Sequence, residues 1–81
     1  MKRAVLKRIV VDPKVMLGKP VIRGTRVTVE LILEKLAADI SIDEILADYP
    51  RLSRADILAA IDYARHAVTA DEVIPHTASR G

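Results

Sequence analysis

Lys19, Arg23 and Arg26 stand in the stretch GKPVIRGTRV, residues 18–27, among glycines, a proline and aliphatic side chains. Together they form a phosphate-contacting set: arginine donates through a planar fork, and glycine lets the backbone approach an anion closely. The same cations have a plainer use, because charges along a sheet edge oppose edge-to-edge aggregation. Through Arg26, eight cations stand against Asp12 alone, a formal +7, and this favours contact with an anion. From Val27 onward five cations meet ten acids, a formal −5. A basic segment joined to an acidic body suggests two faces for two kinds of partner.

A second polar group, Arg51, Ser53 and Arg54, lies where the last helix is expected to begin. Helix-turn-helix proteins place phosphate and base contacts at that point. The rest of the helix argues against base readout. Its outward arc is expected to hold Ala55, Asp56, Ala59, Asp62, Tyr63 and His66, and phosphates repel carboxylates. Asp62 and His66, four residues apart, read as a surface ion pair of about 0.2–0.5 kcal/mol.

Catalytic chemistry has little to stand on. His66 and His76 are accompanied by no carboxylate pattern typical of a metal or general-base site. GKPVIRGT lacks the glycine spacing and the Lys-Ser/Thr end of a phosphate-binding loop. No enzyme activity, metal or cofactor is therefore expected. The absence of cysteine excludes a disulfide framework and a thiolate metal site. The apolar run Ile9–Val11 is too short for a signal-peptide core, and nothing approaches the ~20 apolar residues of a membrane span. A soluble, cytoplasmic protein is expected, without a membrane partner.

The elements that must position these residues follow from pattern and punctuation. The 81 residues, 51% hydrophobic and without Phe or Trp, suit one small domain with an aliphatic core. RIVV, residues 8–11, reads as a strand ended by Asp12-Pro13. PVIR and RVTV read as further strands, joined by a type II′ turn with Gly24 at its first central position. On that geometry Arg23 and Arg26 face each other across the hairpin mouth, where like charges call for solvent or an anion between them.

Thr28 caps a helix over residues 29–39, with Val29, Ile32, Leu33, Leu36, Ala37 and Ile40 on one stripe and Leu31 on the opposite side. S-I-D-E at Ser41 and S-R-A-D at Ser53 read as helix starts of the capping-box kind, each with a hydrophobic staple: Ile40 with Ile45, Leu52 with Ile57. The second helix stops before Pro50, and the third, with Ile57, Ile61, Ala64 and Val68 on its stripe, ends near Thr69. The expected fold is mainly α: a three-helix, helix-turn-helix core (homeodomain-like or winged-helix-like) with a small N-terminal β-hairpin. It is a single domain over residues 1–69, with its β element over 8–28 and a C-terminal tail over 70–81.

From Arg8 to Ala64 the chain resembles the prokaryotic domain of unknown function 433 family. The carriers are D-P-K-V-M-L-G-K-P-V-I-R-G-T-R and E-I-L-A-D-Y-P-R-L-S-R-A-D-I. One departure is Leu17, where many members resemble a Gly-Gly pair. The resemblance implies a homeodomain-like or winged-helix-like fold and an antitoxin role, with members similar to VapB-type antitoxins paired with a PIN-like nuclease toxin.

The residues and the resemblance together point to an antitoxin of a type II toxin-antitoxin module. It would bind operator DNA, regulate transcription and neutralise a PIN-like toxin. Duplex DNA would be met by Lys19, Arg23, Arg26, Arg51, Ser53 and Arg54. The toxin would be met by the acidic body and by Asp71, Glu72, Val73 and Ile74 of the tail. Leu31 would be covered by the hairpin or by the second subunit of a homodimer. The alternative is a protein-interaction adaptor that never touches DNA.

Overall fold

The computed structural model describes residues 7–71. Its element order is β1 (Ile9–Val10), a 3₁₀ turn (Met16–Gly18), β2 (Val21–Ile22), α1 (Val29–Ala37), α2 (Ile42–Asp48) and α3 (Arg54–Asp71). The described residues are thus mainly helical, with three helices and a two-stranded antiparallel sheet.

Each helix begins where local chemistry supplies partners for its free N–H groups. The Thr28 hydroxyl accepts from the Leu31 N–H at 3.0 Å, and the Pro20 carbonyl accepts from the Val29 N–H at 2.9 Å. At α2 the capping box is complete: Ser41 Oγ accepts from the Glu44 N–H, and Glu44 Oε1 accepts from the Ser41 N–H. At α3 the same exchange joins Ser53 and Asp56, with Asp56 Oδ2 accepting from the Ser53 N–H at 2.9 Å. α1 stops at Ala37, two residues earlier than its periodicity suggests, because Asp39 turns into the left-handed region at φ +67°.

Ile9 pairs with Ile22 and Val10 with Val21 across the sheet. Directly paired residues share a face, so Ile9 and Ile22 turn toward the helices and join the core, while Val10 and Val21 look the other way. At the centre of the core stand Ile22, Ile32, Ile45 and Ile57, one from each of β2, α1, α2 and α3, all fully buried. Removing such a side chain from water contributes about 1.5–3 kcal/mol. A sheet of two-residue strands would not persist alone, and here it rests on α3.

Several expectations need correcting. The strands are shorter than RIVV and PVIR, and RVTV contributes a single bridge, Thr28 to Val21, rather than a third strand. The turn is not type II′. Thr25 N–H bonds the Ile22 carbonyl, so Gly24, at φ +80°, is the third residue of its turn, where a type II turn requires a positive φ.

The predicted α3 stripe is displaced as well. Ile57 is buried, but Ile61 and Val68 are exposed, and Ala59 and Ala60 are buried in their place. Asp56 does not face outward, because its cap to Ser53 bends it back over the helix start. Leu31 is half-buried, and α3 runs to Asp71, beyond its expected end near Thr69.

Candidate functional site: a groove between two turns

Three local devices build one side of the site. Asp12 Oδ1 accepts from the Lys14 N–H, and its carbonyl accepts from the Val15 N–H, so D-P-K-V forms a tight turn. Met16, Leu17 and Gly18 then follow one another at φ +49°, +59° and +82°. A run of left-handed residues is rare outside glycine, and it reverses the chain so that residues 19–22 return beside β1.

Thr25 fixes the next turn. Its hydroxyl donates to the Ile22 carbonyl at 2.8 Å and accepts from the Val27 N–H at 3.0 Å. The other side of the site is the connection from α2 to α3. There the Leu52 N–H bonds the Tyr49 carbonyl at 2.9 Å, which turns the chain around Pro50 and Arg51.

Between these turns lies an open groove of about 670 Å³, within the range of ligand-binding clefts. Its apolar lining comes from Val10 and Val21 on the outer face of the sheet, from Val15 and Val27, and from Tyr49, Pro50 and Leu52. Thr25, Arg26, Asp48 and Arg51 supply the polar lining, giving two guanidiniums against one carboxylate. Arg26 and Arg51 are exposed and, among the described residues, hold no carboxylate. The groove therefore offers aliphatic walls and two unengaged bidentate donors.

The other expected site residues are placed as follows. Lys19 Nζ meets Glu30 Oε1 at 2.9 Å, an exposed pair worth about 0.2–1 kcal/mol. Arg23 does not face Arg26 across a hairpin mouth: its Nε donates to the Lys7 carbonyl. Ser53 is engaged in the α3 cap, and Arg54 is exposed on the first turn of that helix.

Asp62 Oδ1 accepts from Arg65 at 2.8 and 3.0 Å, and His66 Nδ1 lies 3.6 Å from its second oxygen. Leu31 lies outside the groove lining. Asp71 is the last of the described residues and lies in α3, and Glu72, Val73 and Ile74 lie outside the described residues.

Two features were missed in the sequence. One is the pairing of Arg8 with the nearly buried Asp56, at 3.0 Å, which ties the strand start to the α3 cap. S-R-A-D was its only local signal, and the arginine partner is 48 residues away. The other is the groove itself, which joins residues 10–27 to residues 48–52 and has no contiguous signature.

Comparison with known proteins bears on the same residues. A stretch of 25 residues, 31% of this chain and 69% of the other, is 64% identical to an uncharacterized protein of Archaeoglobus fulgidus. The crystal structure of a DUF433 member protein from Anabaena variabilis is similar over 80% of this chain, with 29% identity and a TM-score of 0.73. This chain spans 64% of that protein's length. The sequence profile of the family described as proteins of unknown function (DUF433) matches residues 9–64, which include every residue lining the groove. The chain belongs to the DUF433 family.

Proposed function

We propose that this protein is an antitoxin-type regulator whose groove seats a segment of a partner protein. The observation that carries this reading is the pairing of an open apolar groove with two guanidiniums, Arg26 and Arg51, that hold no carboxylate among the described residues. Valine and leucine walls gain free energy by covering aliphatic side chains, and the arginines suit carboxylates flanking such a segment. A PIN-like nuclease is the partner class that the family resemblance implies. In this reading α2 and α3 act as a helix-turn-helix pair, and the turn Tyr49–Ser53 serves protein recognition.

A second reading, operator DNA, is favoured by the exposure of Arg51 and Arg54 at the start of α3. Phosphate contact fits them better than base readout, because Ser53 is held in the cap and α3 exposes Leu58 and Ile61 beyond it. The cationic patch then fixes the register of the protein without reading sequence.

Co-expression with the nuclease-like product of an adjacent gene tests the leading reading. The variant Arg26→Glu with Arg51→Glu, both exposed, is expected to fold and to lose growth rescue at matched protein levels. Equal rescue by the folded variant would remove the groove from the partner interface. A mobility shift on the protein's own promoter separates the regulator, which retards the duplex, from an adaptor that does not.

A further inference from the structure

Arg8 and Asp56 stand beside the groove, and neither lines it. Arg8 Nη1 meets Asp56 Oδ1 at 3.0 Å, with the two side chains 45% and 13% exposed. The second carboxylate oxygen accepts from the Ser53 N–H at 2.9 Å. Both oxygens are thus engaged, as a carboxylate so withdrawn from water requires. The bonds to Ser53 close within four residues, and they do not by themselves call for an arginine 48 positions away.

The ends of the pair are tied to opposite walls of the groove. Arg8 precedes Val10 by two residues, at most about 7 Å of extended chain. Asp56 closes its cap on Ser53, which directly follows Arg51 and Leu52. Val10 lines one wall, and Arg51 and Leu52 line the other. Among the described residues, no other hydrogen bond or ion pair joins the chain before Thr28 to residues 48–56.

The remaining links between the walls are apolar: Ile9 and Ile22 share a core with Leu52 and Ile57. Apolar contact is non-directional, whereas a charge-assisted hydrogen bond fixes distance and angle. β1 brings only two residues to hold its own place.

We propose that Arg8 and Asp56 form a clasp that fixes the spacing of the two groove walls. They are positioning residues: a groove fits its occupant only when its walls are held to within about 0.5 Å. Their effect on binding rests on the groove being the partner site, whereas their effect on β1 does not. That second effect has its own reporter. Arg23 N–H bonds the Arg8 carbonyl at 2.8 Å. Bonded and open pairs alternate along an antiparallel ladder, so Val10 and Val21 form the next bonded pair. Exchange of the Val10 amide therefore reads the attachment of β1.

The full chain is tested with Arg8→Met, which keeps the aliphatic stem, and Asp56→Asn, which keeps an acceptor for the Ser53 N–H. Each is expected to speed Val10 exchange about tenfold while the Ile32 and Ile45 amides stay protected. Affinity for the nuclease-like product of an adjacent gene should fall in step. The double variant should be no worse than the worse single one, because the pair is already broken. Arg8→Lys, which keeps the charge, should recover part of both losses. Unchanged Val10 exchange in folded Arg8→Met would overturn the clasp, and so would equal acceleration at all three amides, the mark of a general stabiliser. Faster Val10 exchange with full affinity would overturn the positioning role, provided that Arg26→Glu with Arg51→Glu abolishes binding in the same assay. If that variant also binds fully, the partner-site reading fails instead, and the exchange result alone decides the clasp.

Discussion

Leu17 sits where an L-amino acid is least at ease. It has φ +59° between two other left-handed residues, and its side chain is 93% exposed. The conformation costs a non-glycine residue about 1–2 kcal/mol, and almost no burial offsets it. Glycine would remove that cost while losing about 0.5–1 kcal/mol through its greater freedom in the unfolded chain. Leu17→Gly is therefore predicted to stabilise the domain by up to about 1 kcal/mol, read as a rise of several degrees in thermal midpoint. A lowered midpoint would contradict this account of the turn. The sequence drew attention to Leu17, but not to the left-handed run of Met16, Leu17 and Gly18 in which it stands. Asp56 shows a related limit. Helical periodicity alone sends it outward, whereas S-R-A-D marks it as the residue that returns to the cap, and the cap determines its position.

Helix starts were legible because capping is settled within four residues. Thr28, Ser41 and Ser53 each cap the helix that their sequence context announces. Strand extents and the α3 stripe were less legible, because ladder pairing and burial depend on what the rest of the chain covers. The α2 cap also gives a pH dependence. The Ser41 backbone N–H first, and the Ser41 hydroxyl second, hold the Glu44 carboxyl below the ordinary carboxylate range. Since folding favours the ionised form, this contribution is present above the ordinary carboxyl range and is lost as pH falls through the depressed value. Glu44→Gln, which keeps an acceptor for the Ser41 N–H but cannot titrate, is predicted to flatten the acid limb of stability against pH. Chemical denaturation at stepped pH checks this, and superimposable acid limbs would count against it.

At the scale of the whole molecule, the charge asymmetry was readable from the sequence but the groove was not. Lys19 and Arg23 bind within the fold, whereas Arg26 and Arg51, 25 residues apart in the chain, both line the groove. The two stretches that carry the family resemblance meet across that groove, which is the site proposed for the partner. The most direct measurement follows the backbone amide signals of the labelled protein as the purified nuclease-like product of an adjacent gene, the proposed partner, is added in a catalytically silenced form. The account predicts that perturbations concentrate at Val10, Val21, Gly24 to Val27, Tyr49, Arg51 and Leu52, leaving the outer turns of α1 unchanged. Perturbations confined to α1, with the groove signals unmoved in a saturated complex, would contradict it.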